Sequence, residues 1–507
     1  MILERDLRAT PRYAEVRDYF IGLNAVGSGK VVDATDITLS PDGELAAFTG
    51  TVHADIALTP HTRVCLARVA NGQVWQIESV RGSDRFPRWS PDGKRLAFLS
   101  DREQSGNFQL YLTDAGGRGA VKPIARVEGT IEYIEWSPDG RRLLAGVAGF
   151  GADMAGCQGG ATTVRKEPDG SLPAWIPTVD TGDAENLWRS VWIFDIAGGT
   201  AAQVRTAGLN HWEATWVGND RIVAVTSESH SEGSWYQAQL THMDLAGSVV
   251  RTLYTPADQI GVPTASPSGR TVAVIEAVCS DRLIVAGGVL LIDPVSGSVR
   301  RQDTHGVDVT YVGWRDEWHL AYAGVRGFET VAGEIEVGSG EARENWKSLE
   351  RTLGNWYPSL WPAPRGGLIA VAEAFEVAPE IVLIRDGEYK ILVSLDERQE
   401  RSRSLTPAKV QPVSWRARDG LEIQGWLVSP DLPGPLPLVM DVHGGPIWCC
   451  RNRWQGRLRG AKLFVEHGCA VFYPNPRGSS GRGPDFARLV KGDMGGEDTY
   501  DYLTGVD

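Results

Sequence analysis

WSPDGKRLAFLS, from Trp89 to Ser100, is the stretch whose reading decides the fold. Its Pro-Asp-Gly core is a turn, because Pro presets φ and Gly tolerates positive φ. A short apolar, β-forming run follows it, so the stretch reads as the bend of a hairpin. Ser-Pro-Asp-Gly returns at Ser40–Gly43 and Ser137–Gly140, and as Ser-Pro-Ser-Gly at Ser266–Gly269. The runs behind these copies are LAAF, RLLAGV and TVAVIEAV. Three more such runs follow a tryptophan and a turn: RIVAVTS after Trp216, HLAYAG after Trp314 and LIAVAEA after Trp361.

The positions just before these turns are Leu39, Trp89, Trp136, Trp216, Ala265, Trp314 and Trp361, with gaps of 50, 47, 80, 49, 49 and 47 residues. Five of the six gaps match the roughly 40–50-residue period of a propeller blade. A third strand follows in QLYLTD (Gln109–Asp114), SVWIFD (Ser190–Asp195) and VLLIDP (Val289–Pro294), then a Gly-containing turn and a fourth strand. Four strands in each of seven units predict an all-β seven-bladed propeller. The recurrent tryptophans are expected to wedge between blades, which is a packing role. The long gap marks a blade with about thirty extra residues between Val147 and Leu187. That link belongs on the face that also carries the blade-to-blade connections, and is expected to reach over a partner domain or the substrate entrance. Of its acidic residues Glu167, Asp169, Asp180, Asp183 and Glu185, the last is the candidate for holding a peptide's amino group. The plainer alternative is a solvated loop.

Past about Leu405 the period stops. Two alternating strands surround Asp419-Gly420 within Pro412–Pro430. LVMDVHGGP (Leu438–Pro446), GAKLFVEHG (Gly460–Gly468) and CAVFYPNPRGSSGRG (Cys469–Gly483) then read as strand, helix, strand. This predicts the incomplete start of an α/β-hydrolase domain. The expected organisation is an extension with a helix over 1–30, the propeller over 31–405 and the truncated hydrolase part over 406–507. Glycines after a central strand let backbone N–H groups face a bound carbonyl without Cβ hindrance. In α/β-hydrolases such a loop supplies one donor of the oxyanion hole. The candidate loop is His443, Gly444 and Gly445, with His443 shaping the loop rather than acting as a base.

The Ser-Pro-Asp-Gly propeller, LVMDVHGGP, VFYPNPRGSSGRG and GDMGGEDTYDYLTGVD together resemble the prolyl oligopeptidase family of serine peptidases, nearest its acylaminoacyl-peptidase and dipeptidyl-peptidase-like branch. The resemblance covers essentially the whole chain. It implies hydrolysis of short or N-acylated peptides behind a propeller that restricts access. It implies that Gly445 donates an oxyanion-hole N–H. Arg477, Gly478, Glu497 and Asp498 would frame the site, Arg477 being also a candidate substrate contact. The helix expected over Thr10–Phe20 would pack against the hydrolase part.

No GxSxG nucleophile motif is present, and Gly478-Ser479-Ser480-Gly481 has the wrong spacing. The chain therefore reads as truncated before its Ser-Asp-His triad and, as written, as inactive. The exposed edge of the half-built sheet should favour aggregation. A non-catalytic propeller binding or scaffold protein is the alternative. A lipase-like or carboxylesterase-like hydrolase is weaker still, since the propeller argues against it.

With 51 basic and 64 acidic residues the net charge is −13, which argues against nucleic-acid binding and a polybasic membrane anchor. No signal peptide or membrane span is visible, so a cytoplasmic protein is expected. The six cysteines form no CxxC pair and the nine histidines no HExxH, so neither a metal nor a cofactor is implied. VGSGK at Val26–Lys30 lacks the spacing and the Ser or Thr of a phosphate loop. The expected partner is a short peptide substrate. A homo-oligomer is left open.

Overall fold

The Ser-Pro-Asp-Gly turns share one hydrogen-bond pattern. At Ser90, the hydroxyl donates to Asp92 Oδ1 (2.6 Å) and accepts from the Arg95 N–H (3.0 Å). The Lys94 N–H donates to that same Asp92 oxygen (3.1 Å), and the Gly93 N–H to the Ser90 carbonyl (2.8 Å). The set recurs at Ser40 and Ser137. Each turn's glycine has φ between 68° and 76°, a region open to Gly at no steric cost. Ser266–Gly269 lacks the aspartate. There Glu317 of the following blade supplies the carboxylate, accepting from the Ser268 N–H (3.0 Å) and from Ser266 Oγ (3.2 Å).

The structure, a computed structural model, describes residues 6–25, 29–52, 60–79, 81–152, 187–282, 284–354, 356–396, 407–454 and 461–507. Seven antiparallel sheets occupy 31–76, 84–123, 130–204, 210–254, 259–301, 308–348 and 352–394. Strands pair in chain order within each sheet, and the seventh splits its first strand into Thr352–Leu353 and Trp361–Pro362. They are the seven blades of a propeller. Neighbouring turns stack: a Cβ on Gly93 would lie 3.5 Å from Pro41, on Gly140 3.4 Å from Pro91, and on Gly43 3.9 Å from Pro364. The last of these pairs joins the first and seventh blades. The apolar cluster of Ile37 and Phe48 with Ile369, Val371 and Ile381 closes the ring there.

The tryptophans do sit in the seams. The Trp136 indole donates to the Arg88 carbonyl of the preceding blade (3.0 Å), and Trp216 likewise to Glu135 (3.1 Å). The first strand of several blades also bulges. Phe86 and Val262 have φ of 56° and 57°, which for a bulky or a β-branched residue is a strained conformation. The blade before holds each bulge in place: the Phe86 N–H donates to Thr49 Oγ1 (3.0 Å) and the Val262 N–H to Glu213 Oε2 (2.6 Å). Within the third blade, Arg189 grips Glu132 with two hydrogen bonds of 3.0 Å, both side chains being almost wholly buried.

A second unit follows. Strands β1 (Ala408–Arg416) and β2 (Glu422–Pro430) form a hairpin, followed by β3 (Leu438–Met440) and β4 (Ala470–Asn475). The sheet order is β1-β2-β4-β3, with β3 and β4 parallel and the other pairs antiparallel. Parallel neighbours need a crossover. Here it contains a helix, Ala461–Glu466. Two more helices follow, Pro484–Arg488 and Glu497–Thr504. This is the start of an α/β-hydrolase domain. Strand β3 pairs on one side only, and Leu438 and Val442 near it are exposed.

This unit seats on the propeller face built from blade-to-blade links and second-to-third-strand links. Trp426, Val428 and Tyr473 pack against Phe375 of the seventh blade. The Phe375 N–H donates to Asn452 Oδ1 (2.7 Å), and the Gly327 N–H to the Gly481 carbonyl (2.6 Å). The N-terminal helix, Pro11–Ala25, reaches the same unit through Glu15, whose carboxylate lies 3.3 Å from His467 Nε2. The link carrying Glu167, Asp169, Asp180, Asp183 and Glu185 lies outside the described residues. No helix among the described residues is long and apolar enough to cross a membrane.

Removing one member of a buried ion pair strands the other charge. Arg189→Met is therefore expected to destabilise the protein by about 3–5 kcal/mol, while Glu132→Leu combined with Arg189→Met recovers most of the loss. Urea melts of the three proteins check this.

Candidate active site

The loop His443–Pro446 begins where β3 leaves the sheet. Asp441 is the last residue tied to β4, its N–H donating to the Phe472 carbonyl (2.8 Å). The chain then turns, and the Trp448 N–H donates to the Gly445 carbonyl (2.7 Å). Gly445 has φ of 61°, and a Cβ there would stand 3.0 Å from Ile284 Cδ1 of the fifth blade. The left-handed conformation favours glycine here, and the Ile284 methyl would have to give way slightly to admit a Cβ. A Cβ on Gly444 would meet nothing. The N–H groups of Gly444 and Gly445 have no acceptor among the described residues. Two unengaged donors in succession, ordered by the turn, can receive a carbonyl oxygen on which negative charge develops.

His443 shapes this loop. Its Nε2 lies 3.2 Å from Ser479 Oγ, and its ring meets the Trp448 indole edge-on with centroids 5.7 Å apart. Burial of the imidazole pushes its pKa down to about 4. At neutral pH it is therefore uncharged, and the loop's donors keep their field without a neighbouring imidazolium.

The Arg-Gly-Ser-Ser-Gly loop behind β4 backs the first one. The Arg477 side chain binds Asp501 through Nη2 (2.8 Å) and Asp419 through Nη1 (2.9 Å), and its N–H donates to Asp501 Oδ2 (2.8 Å). It thereby ties together the β1–β2 turn, the Glu497–Thr504 helix and the loop after β4. Glu497 at the start of that helix holds Arg418 (3.0 Å). Gly478 takes φ of 101° against Val490. The Ser480 N–H donates to the Ile447 carbonyl (2.8 Å). Thus His443, Gly444, Gly445 and the loop carrying Arg477 come together, while Glu185 falls outside the described residues.

Several participants escaped the sequence reading. Tyr357, between the two pieces of the seventh blade's first strand, places its hydroxyl 3.0 Å from Ser480 Oγ and 3.4 Å from the Ile447 carbonyl. Arg451 donates to Thr352 Oγ1 (2.8 Å), and Arg453 to the fully buried Glu373 (3.3 Å). Burial pushes the Glu373 carboxyl up to about 7 against the pull of both arginines. The closely spaced cations of RNR, directly after the glycine loop, were the available signal. Their partners Thr352 and Glu373 lie 99 and 80 residues upstream and could not be paired by spacing. Among the described residues no group of His, Cys, Asp and Glu is placed to hold a metal ion.

Residues 455–507 match the model of the prolyl oligopeptidase family. An uncharacterized peptidase of Bacillus subtilis is 32% identical over 124 residues, which is 24% of this chain and 18% of that protein. A probable dipeptidyl-peptidase 5 of Emericella nidulans is 32% identical over 181 residues, covering 33% of this chain and 25% of that one. Among solved structures, a Pyrococcus horikoshii acylaminoacyl peptidase superposes with a TM-score of 0.68 at 19% identity, over 94% of this chain and 70% of that one. An acylaminoacyl peptidase in complex with Z-Gly-Gly-Phe-chloromethyl ketone superposes with a TM-score of 0.70, also at 19% identity and the same coverage. The matched stretches span well under two thirds of these curated relatives.

The His443 imidazole is expected to stay neutral down to about pH 5, as its lowered pKa requires. Its folded pKa lies below the unfolded value near 6.5, so its contribution to stability is present above about pH 6.5 and is lost as pH falls toward 4. Carbon-13 NMR of labelled histidines, with His443→Asn for assignment, checks this; a ring titrating near 6.5 would contradict it.

Proposed function

Residues 455–507 match the prolyl oligopeptidase family, and we propose that the chain belongs to it and is the access-controlling and carbonyl-binding part of a serine peptidase acting on short or N-acylated peptides. The observation that carries this reading is the pair of unengaged N–H groups at Gly444 and Gly445, set in a turn after β3 and against the propeller. In such an enzyme a serine attacks the scissile carbonyl, a histidine takes its proton and an aspartate orients the histidine. The Gly445 N–H meets the oxygen of the tetrahedral intermediate, and the second donor follows the nucleophile. Neutral His443 holds the loop and takes no proton. The propeller covers this side of the site, so a chain must be short to reach it. The peptide-derived ketone bound to one solved relative supports the substrate class.

The 507 residues contain no GxSxG. That observation favours one second reading, a propeller that binds a peptide without cleaving it.

The test compares this chain with a longer product of the same gene that carries the nucleophile. Each is assayed on acetyl-alanyl and alanyl-alanyl arylamides and on acyl esters. The longer protein is expected to hydrolyse the amides, and Gly445→Ala to lower its kcat/KM by about 10²–10³-fold by displacing one oxyanion donor. The 507-residue chain is expected to turn over none of the substrates. Exclusive ester turnover by the longer protein would overturn the peptidase reading, and amide turnover by the shorter chain would overturn the triad mechanism. A true stop after Asp507 in the source DNA would favour the binding reading.

A further inference from the structure

Asp308 opens the first strand of the sixth blade and is 5% exposed. Its carboxylate does not bind a cation there. Oδ2 instead accepts the backbone N–H of Gly481 (2.6 Å) and of Gly483 (3.1 Å), both from the glycine-rich loop after β4. With φ of 99° and 86°, these glycines present their amides to one oxygen, the geometry of an anion-binding backbone nest. A second tie runs beside it, from the Gly327 N–H of the same blade to the Gly481 carbonyl (2.6 Å). Burial raises the carboxyl to about 6 while the backbone donors pull it down, so at neutral pH the nest holds a charged group.

The loop held in this way is also the one that holds the candidate carbonyl-binding loop. Ser479 Oγ sits 3.2 Å from His443 Nε2, and the Ser480 N–H donates to the Ile447 carbonyl (2.8 Å). Those contacts bracket Gly444 and Gly445 on both sides. We propose that Asp308 is a positioning residue: through the Gly478–Gly483 loop and Ser479 it transmits the seating of the propeller to His443 and so sets where the Gly444 and Gly445 donors point. Its meaning for catalysis rests on the function proposed above. The mechanical coupling does not.

The coupling is read on the 507-residue chain in Asp308→Asn, Ser479→Ala and the double variant. The observables are the carbon-13 shift of the His443 ring and hydrogen exchange of the Trp448 and Ser480 amides. Asp308→Asn puts an amide donor against the nest. It is expected to shift the His443 signal and to speed exchange of both amides about tenfold or more, as for a local opening. Ser479→Ala is expected to shift His443 while Gly481–Gly483 stay protected. In the Ser479→Ala background, Asp308→Asn should move His443 no further. Asp308→Glu, which keeps a carboxylate, should restore part of the wild-type signal. If Asp308→Asn loosens only Gly481–Gly483 and leaves His443 and Trp448 unchanged, the proposal is overturned and Asp308 is a domain latch alone. Should Asp308→Asn not fold, Ser479→Ala and Asp308→Glu still decide: an unshifted His443 in both overturns the coupling. None of these readouts involves turnover, so a failed peptidase assay leaves them standing and their failure leaves the peptidase reading standing.

Discussion

A four-stranded blade with two apolar faces cannot remain in water by itself, and that constraint organises the rest of this protein. Each blade must find a neighbour on both sides, and a closed ring gives every sheet two. The second strands show the demand directly: Ala46–Phe48, Leu96–Leu99 and Leu143–Ala145 are buried residue after residue, without the alternation of a half-exposed strand. Polar groups caught in the seams must then be paired across them. The Trp136 and Trp216 indoles find carbonyls of the preceding blade, and Glu213 finds the strained Val262 amide. Strain and desolvation at each bulge are tolerable because the neighbouring blade supplies the partner.

The same logic governs the seat of the hydrolase part. Its segment from Ile447 to Trp454 packs against the fifth and seventh blades, carrying Arg451 and Arg453 into surroundings with little water. Charges buried this way are costly unless matched. Glu373, Thr352 and the Trp356 carbonyl match them. Asp308 does the reverse from the propeller side, pushing a carboxylate toward backbone amides of the hydrolase part. Charges cross the boundary in both directions, so the relative placement of the two units is specified by polar contacts as well as by the apolar contact around Phe375.

Much of the architecture was legible in the chain. The Ser-Pro-Asp-Gly turns revealed their period because the turn chemistry is local: Ser90, Asp92 and Gly93 complete one another within a few residues. The glycine loop at His443–Gly445 was legible for a related reason, since backbone donors need only the absence of side chains. Contacts between residues far apart in the chain were not legible. The Ser266 turn shows why: its missing aspartate is replaced by Glu317, about fifty residues onward, from a turn that does not share its sequence. Glu373 was read only as part of a strand, and no local pattern singled out Tyr357 or Asp308.

The sequence by itself determined the number of blades and the glycine loop after β3. Both rest on interactions between residues close in the chain, where residue type and spacing suffice. Only the tertiary structure decided which propeller residues face that loop, that Arg477 is held by Asp419 and Asp501, and that His443 is neutral. Those depend on how two units separated by hundreds of residues are seated, and on how far each buried group is removed from water. Spacing along a chain carries no record of either.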